Sequence, residues 1–261
     1  MKKTTALLLL IIFLFINARN AYPALAYDRG DVEKIKVSNR CVKCDFSAYN
    51  FNDKRLSLGR KNLSRANLNK AKLKHLDLAG VNLRRATLIG SNLRGSNLRN
   101  SHLERANLSF SQLVRADLRG GNFRKANFEH ADLTLANLSG EEKKNRSNFA
   151  RASFVGSRMV KANIVNANLK RANFYQADLK GSNLEKSKLQ RANLAEANLS
   201  YVNFTSADLR KVNLMGASLT YANLSHADLR KANLQGANLM GANLEDCNLQ
   251  GAIMPDGSIH Q

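Results

Sequence analysis

The chain has 261 residues, with 41 Lys and Arg against 20 Asp and Glu, a formal net charge of +21, and three cysteines. That balance favours an anionic partner over a cationic one. No glycine-rich phosphate loop, HExxH sequence or nucleophile elbow occurs, and His75, His102, His130, His226 and His260 are scattered, so the chain reads as non-enzymatic, with no call for a metal or cofactor.

Residues 1–26 have the pattern of a secretory signal peptide. Lys2 and Lys3 precede an apolar run of 11 residues, Ala6–Ile16, and Ala24-Leu25-Ala26 offers a small-x-small cleavage site before Tyr27. The run is short for a bilayer span, so an exported chain, periplasmic or secreted, with no further transmembrane segment is expected. Removing Lys2, Lys3 and Arg19 with that segment leaves 38 basic and 20 acidic side chains, a net +18.

Residues 27–43 read as an N-terminal cap. Cys41 and Cys44 form a lone CxxC at its end; a metal would need two more ligands, and a thioredoxin-like role would need a βαβ context. In an oxidising compartment the pair reads as a candidate disulfide, with free thiols the alternative. Early units of a repeat begin at Cys44-Asp45-Phe46, Tyr49-Asn50-Phe51 and Lys54-Arg55-Leu56, followed by a two-residue slip at Gly59-Arg60.

From Leu63 to Leu138, and again from Phe149 to Leu249, every fifth residue is Leu, Phe, Ile or Met, 37 times without a miss. Neither a helix nor a flat strand places a five-residue beat on one face. Two residues before each such centre sits Ala, Ser or Gly in 31 of the 37 units, and one residue before sits Asn or Asp in 29. Large and small residues can both point inward only if the chain turns a corner in each unit, and Asn, Asp and Gly are expected to supply those corners.

Ala66-Asn67-Leu68, Ala106-Asn107-Leu108, Ala177-Asp178-Leu179 and Ala232-Asn233-Leu234 copy the A(D/N)LXX consensus of the pentapeptide-repeat family, which residues 44–254 resemble. The resemblance implies an all-β, right-handed quadrilateral β-helix with four units, 20 residues, per coil, and about ten coils over this stretch. Some members of the family mimic DNA and protect gyrase, so the resemblance also implies that role. That role calls for an acidic cytoplasmic rod, and this basic chain with an export signal departs from it on both counts.

A period of 20 also appears in the charge. The second residue after the centre reads Arg65, Arg85, Arg105, Lys125, Arg151, Arg171, Arg191, Lys211 and Lys231 in one of four classes, all nine basic. The register survives an 11-residue gap between Leu138 and Phe149 if residues 141–146 bulge as a charged loop. The slot just after the centre adds Arg84, Arg124, Lys170, Arg210 and Arg230 to the same class, against the acid Glu104.

These fourteen cations are expected to form one flat basic face that docks an anionic polymer or surface: envelope phospholipid, lipopolysaccharide or acidic glycan. The alternative is a structural or protein-interaction scaffold whose basic face merely solvates it. Aromatics are missing from the ladder slots, which argues against nucleic acid. Tyr201 and Tyr221 fall one coil apart on another face, as a small contact patch. Cys247 occupies a small inward slot as a buried inert thiol, and residues 255–261 form a short C-terminal tail.

Overall fold

The computed structural model describes residues 27–53, 57–140 and 146–261. The expected signal segment 1–26, the early unit 54–56 and insert residues 141–145 lie outside them.

The chain winds as a right-handed quadrilateral β-helix. Each side of the square is one short parallel bridge per coil, centred on the residue before the large apolar one. The first side runs through Asn62, Asn82, His102 and Asn122 to Asn248. The second follows Asn67 and Thr87, the third Lys72 and Asn92, and the fourth Asp77 and Asn97. Partners stand 20 residues apart, so four pentads close one coil. Across the insert the spacing becomes 26, from Asn122 to Asn148 and in step on the other three sides, so six residues bulge without shifting register. Gly140 makes the pinch possible: a Cβ there would lie 2.8 Å from Arg146 Cα.

The corners are made only in part as the composition suggested: glycines such as Gly80, Gly90 and Gly95 do stand on them, but the consensus Asn and Asp do not. Asn and Asp before the centre lie in the middle of each side. Their Oδ1 accepts the N–H two residues on, as from Ser64 to Asn62 at 3.1 Å, and Asn82 Nδ2 continues the line to Asn62 Oδ1 at 3.1 Å. The corner is the second residue after the centre, which adopts positive φ whatever its type: Arg65 at 61°, Tyr201 at 60°, Gly80 at 65°. The next small residue donates its N–H back to the centre carbonyl, Ala66 to Leu63 at 3.1 Å, closing a four-residue turn of type II character. The corners at the ends of the four sides are called first to fourth.

Inside, the large residues stack in four buried columns. Phe128, Phe154 and Phe174 lie face to face at 4.9 and 4.7 Å, and Phe123 lies on Phe149 at 4.7 Å. Four serines in the small slot, Ser96, Ser101, Ser111 and Ser187, donate their hydroxyls to the preceding centre carbonyl, as Ser101 Oγ does to Leu98 O at 2.6 Å.

The two ends differ. At the N-terminus a helix, α1 (Arg29–Val37), starts at Asp28, whose side chain accepts from Gly30 and Asp31 N–H, and buries Val32 and Ile35. Asp31 accepts the N–H of Asp45 at 2.8 Å, tying α1 to the second side. Lys61 takes a small inward slot, buried, and its ammonium donates to Ile35 O and Ser38 O, both at 3.0 Å. A cation there satisfies carbonyls that the helix end leaves open and suits its dipole. Cys41 fills a large centre slot, its N–H donating to Asn62 O at 2.8 Å, and is joined to Cys44 by a disulfide. At the C-terminus Ile259 pairs antiparallel with Ile253, while Leu239, Leu244 and Leu249 are only half-buried.

Candidate polyanion interface

The ladder is contiguous, but it runs along a corner and not across a flat side. All nine predicted residues, Arg65 to Lys231, fall at the first corner with φ between 57° and 61°. The turn residues project from the edge of the square, whereas its flat sides carry the Asn and Asp columns. Their backbones bond directly between coils: Arg65 N–H donates to Arg84 O at 2.9 Å, Arg105 to Arg124 O at 3.0 Å, and Arg151 to Lys170 O at 2.9 Å. Coils joined this way stand about 4.8 Å apart, which sets the spacing of the cations.

The corner extends one rung further than the sequence revealed. Lys43 N–H donates to Ser64 O at 3.0 Å, and Lys43 has φ 61°, the geometry of the ladder residues above it. The 22-residue spacing of the first coil hides it: Arg40 bridges Asn62 and Asp45 bridges Asn67, two residues longer than elsewhere. Lys188 on the first side and Arg146 at the end of the insert also join the basic region; the charge of Arg146 pushes Lys188 below its ordinary pKa.

Among the described residues, no ion pair engages Lys43 or any of the nine ladder residues. All are exposed except Lys125, which is half-covered. Their mutual repulsion is visible at Lys125: the charges of Arg105 and then Arg124 push it below the usual lysine pKa. Ten like charges stacked coil on coil oppose one another directly, which is unfavourable without a counterion.

The five cations added from the neighbouring slot behave differently. Arg84 meets Glu104 at 3.0 Å. Arg210 donates to Asp208 at 2.8 and 2.7 Å, and Arg230 to Asp228 at 2.9 and 2.7 Å. The hydrogen bond from Arg230 holds Asp228 below the usual carboxylate range, and the one that Arg210 donates to Asp208 raises the pKa of Arg210. Arg124 and Lys170 have no such acid beside them among the described residues. The basic set therefore contains the ten-rung ladder plus Arg124 and Lys170, while Arg84, Arg210 and Arg230 are locally compensated. Sequence reasoning counted Glu104 but not Asp208 and Asp228, because it treated their slot as corner structure.

The other sequence-selected groups do not converge. His75, His130 and His226 stand on the third, second and fourth corners, His102 on the first side and His260 in the tail; His226 faces Asp246 at 3.4 Å. Asp31 lies beside Cys41 and Cys44, but their sulfurs are bonded to each other. Cys247 is half-buried rather than fully enclosed, and burial with the charge of Asp228 raises its thiol pKa to about 11. Among the described residues no helix is long and apolar enough to cross a membrane.

A family model described as pentapeptide repeats (8 copies) matches residues 62–100, 101–140, 147–185, 177–216 and 217–254. Among solved structures the chain is similar to HetL, a pentapeptide repeat protein involved in heterocyst differentiation regulation from the cyanobacterium Nostoc sp. strain PCC 7120. The two are 34% identical over 85% of this chain and 91% of that one, with a TM-score of 0.46. A pentapeptide repeat protein from the cyanobacterium Cyanothece 51142 is 29% identical over 56% of this chain and 91% of its own, with a TM-score of 0.28. QnrB1, a plasmid-mediated fluoroquinolone resistance protein, is 19% identical over 64% and 85%, with a TM-score of 0.46. Comparison with curated proteins gave no match.

Proposed function

The chain belongs to the family of pentapeptide-repeat proteins, and from that premise we propose that it is an exported, non-enzymatic scaffold whose first corner docks an anionic polymer or surface. Phospholipid, lipopolysaccharide and acidic glycan share the required chemistry, a dense array of phosphates or carboxylates. One observation carries the reading: ten cations in line, none with an acidic partner among the described residues, beside arginines that do have one.

The backbone adds weight. Positive φ is the conformation glycine adopts at no steric cost, and an L side chain there costs on the order of 1 kcal/mol. The other corners use glycine at Gly80, Gly90, Gly95, Gly181 and Gly216, among others. The first corner uses it only past the end of the ladder, at Gly251. Retaining Arg or Lys at ten such positions runs against both local strain and mutual repulsion, as a bound polyanion would require. Export follows from the signal pattern of residues 1–26, and the Cys41–Cys44 disulfide suits an oxidising compartment.

The test is binding to heparin and to vesicles containing anionic lipid across a salt series. Affinity should fall steeply with ionic strength. Absent or salt-insensitive binding to both would leave the ladder as a solvating edge.

A further inference from the structure

The insert ends in a cation that the regular coil has no place for. Arg146 enters at the fourth-corner end of the first side, whose bridges run through Asn148, Asn168, Lys188 and Asp208. There it lines an open recess of about 370 Å³ together with Asn166, Lys186, Lys188 and Asp208. That is room for a group several water molecules in size.

The charges around this recess divide into paired and unpaired. Lys186 meets Glu185 at 3.1 Å. Asp208 is already engaged: Arg210 donates to it at 2.8 and 2.7 Å, and Gln190 Nε2 donates to its Oδ2. Arg146, Lys188 and the nearby Lys170 have no ion-pair partner among the described residues. They repel one another instead. The charge of Arg146, then burial, then the charge of Lys170 hold Lys188 below its ordinary pKa, and Asp208 offsets this only in part.

The sharper observation is a missing acceptor. Arg146 Nη1 is shut off from solvent and meets no hydrogen-bond acceptor among the described residues. A buried donor without a partner is costly, more so when it is charged. The recess therefore holds donors and positive charge in excess, without the anion that would satisfy both.

We propose that this recess is a site for one doubly charged tetrahedral anion, either free phosphate or the terminal phosphate of a monoester. Three unpaired cations call for more than a single negative charge, and the guanidinium fork suits two oxygens of one group. The positive charge is also local. Beyond Lys188 the bridges of the first side continue with Asp208 and Asp228, and before it stand Asn168 and Asn148. An extended polymer finds no further cation along that line, whereas a single group finds all it needs. The site stands whether or not the first corner docks a polyanion.

Inorganic phosphate, titrated into the purified protein at fixed ionic strength, should shift the side-chain NMR signals of Arg146 and Lys188 in a saturable way. Arg146→Gln and Lys188→Gln should each weaken that binding at least ~10-fold, the loss of a hydrogen bond to a charged group, with circular dichroism confirming the fold. Lys161→Gln on the third corner should leave it unchanged. No saturable binding, binding untouched by both substitutions, or an equal loss from Lys161→Gln would each overturn the site. Vesicles of matched charge distinguish the source of the group. Arg146→Gln should weaken binding to phosphatidate, a monoester, and spare phosphatidylglycerol, a diester, where a lipid supplies the phosphate; it should spare both where free phosphate does. Equal losses on the two lipids would mean that Arg146 only adds to the overall charge, and would overturn the proposal.

Discussion

The first and third corners share a backbone and differ in everything that faces outward. Each turns once per coil through a left-handed residue, with φ of 57–61° on the first from Lys43 to Lys231 and 54–67° on the third from His75 to Gly241. The third corner fills that position with His, Gly, Arg, Leu, Lys and Tyr; the first fills it ten times with Lys or Arg alone. A position that accepts a histidine, a glycine or a tyrosine is not dictated by folding. What stands there reports on what the exterior meets, and the two corners meet different things.

The largest expected effect breaks the comparison by charge. Changing Arg105, Lys125, Arg151 and Arg171 to Glu should lower affinity for anionic vesicles or heparin at least ~100-fold, since each basic side chain near an anionic surface contributes about 1 kcal/mol. Changing Arg115 and Lys161 at the third corner to Glu should leave that affinity nearly as it was. Equal losses from the two corners would mean that net charge, and not the ladder, governs binding.

Next in size is a steric test at the third corner. A Cβ on Gly241 would lie 2.5 Å from Tyr221 Cδ1, on a residue whose φ is 67°. Gly241→Ala should therefore cost roughly 1–2 kcal/mol, from the left-handed backbone and the displaced ring, read as a lower midpoint in denaturant. The same substitution at Gly251, whose Cβ would meet Lys231 Cγ at an ordinary 3.4 Å, tests the backbone part alone and should cost less.

Much of this contrast was legible in the amino-acid order. The five-residue beat gives the coil, and the charge period of 20 carries the ladder past the insert. What could not be read was geometry that side-chain type does not encode. Arg and Lys hold a backbone conformation usually left to glycine because the turn is fixed on both flanks: by the Asx bond before it and by the inter-coil bonds. That placed the ladder on an edge when a flat face was expected. Lys43 was hidden by the long first coil, and the pairing of Arg210 and Arg230 by aspartates in a slot read as scaffolding. Lys61 was one of six exceptions in the small inward slot, and the one that is charged. Its role as the cap of α1 needs the helix in place to be seen.

A glycine placed on the ladder separates folding from function at a single residue. Arg105→Gly removes one cation and relieves a positive φ of 59°. It should raise stability by up to roughly 1 kcal/mol, since the relief slightly exceeds the entropy glycine adds to the unfolded chain, and should weaken polyanion binding a few-fold. Chemical denaturation and the vesicle assay on one preparation decide it. A variant both less stable and equally good at binding would show that Arg105 serves the fold.

The smallest effect is a proton. Lys125 is held below the ordinary lysine pKa of 10.5 by Arg105 first and Arg124 next. Its charged form is disfavoured in the folded state, so the folded protein binds fewer protons than the unfolded chain between the lowered value and 10.5. The penalty is present while the lysine is charged and fades as pH rises through that alkaline window, so this group alone makes stability increase with pH there. Arg105→Gln should move the Lys125 titration back toward its ordinary value, and a bound polyanion should do the same by replacing repulsion with attraction, both followed by NMR of the lysine side chain. A titration that ignores Arg105→Gln would mean the rungs do not sense one another, and the repulsion that makes an unpartnered ladder unfavourable would be absent.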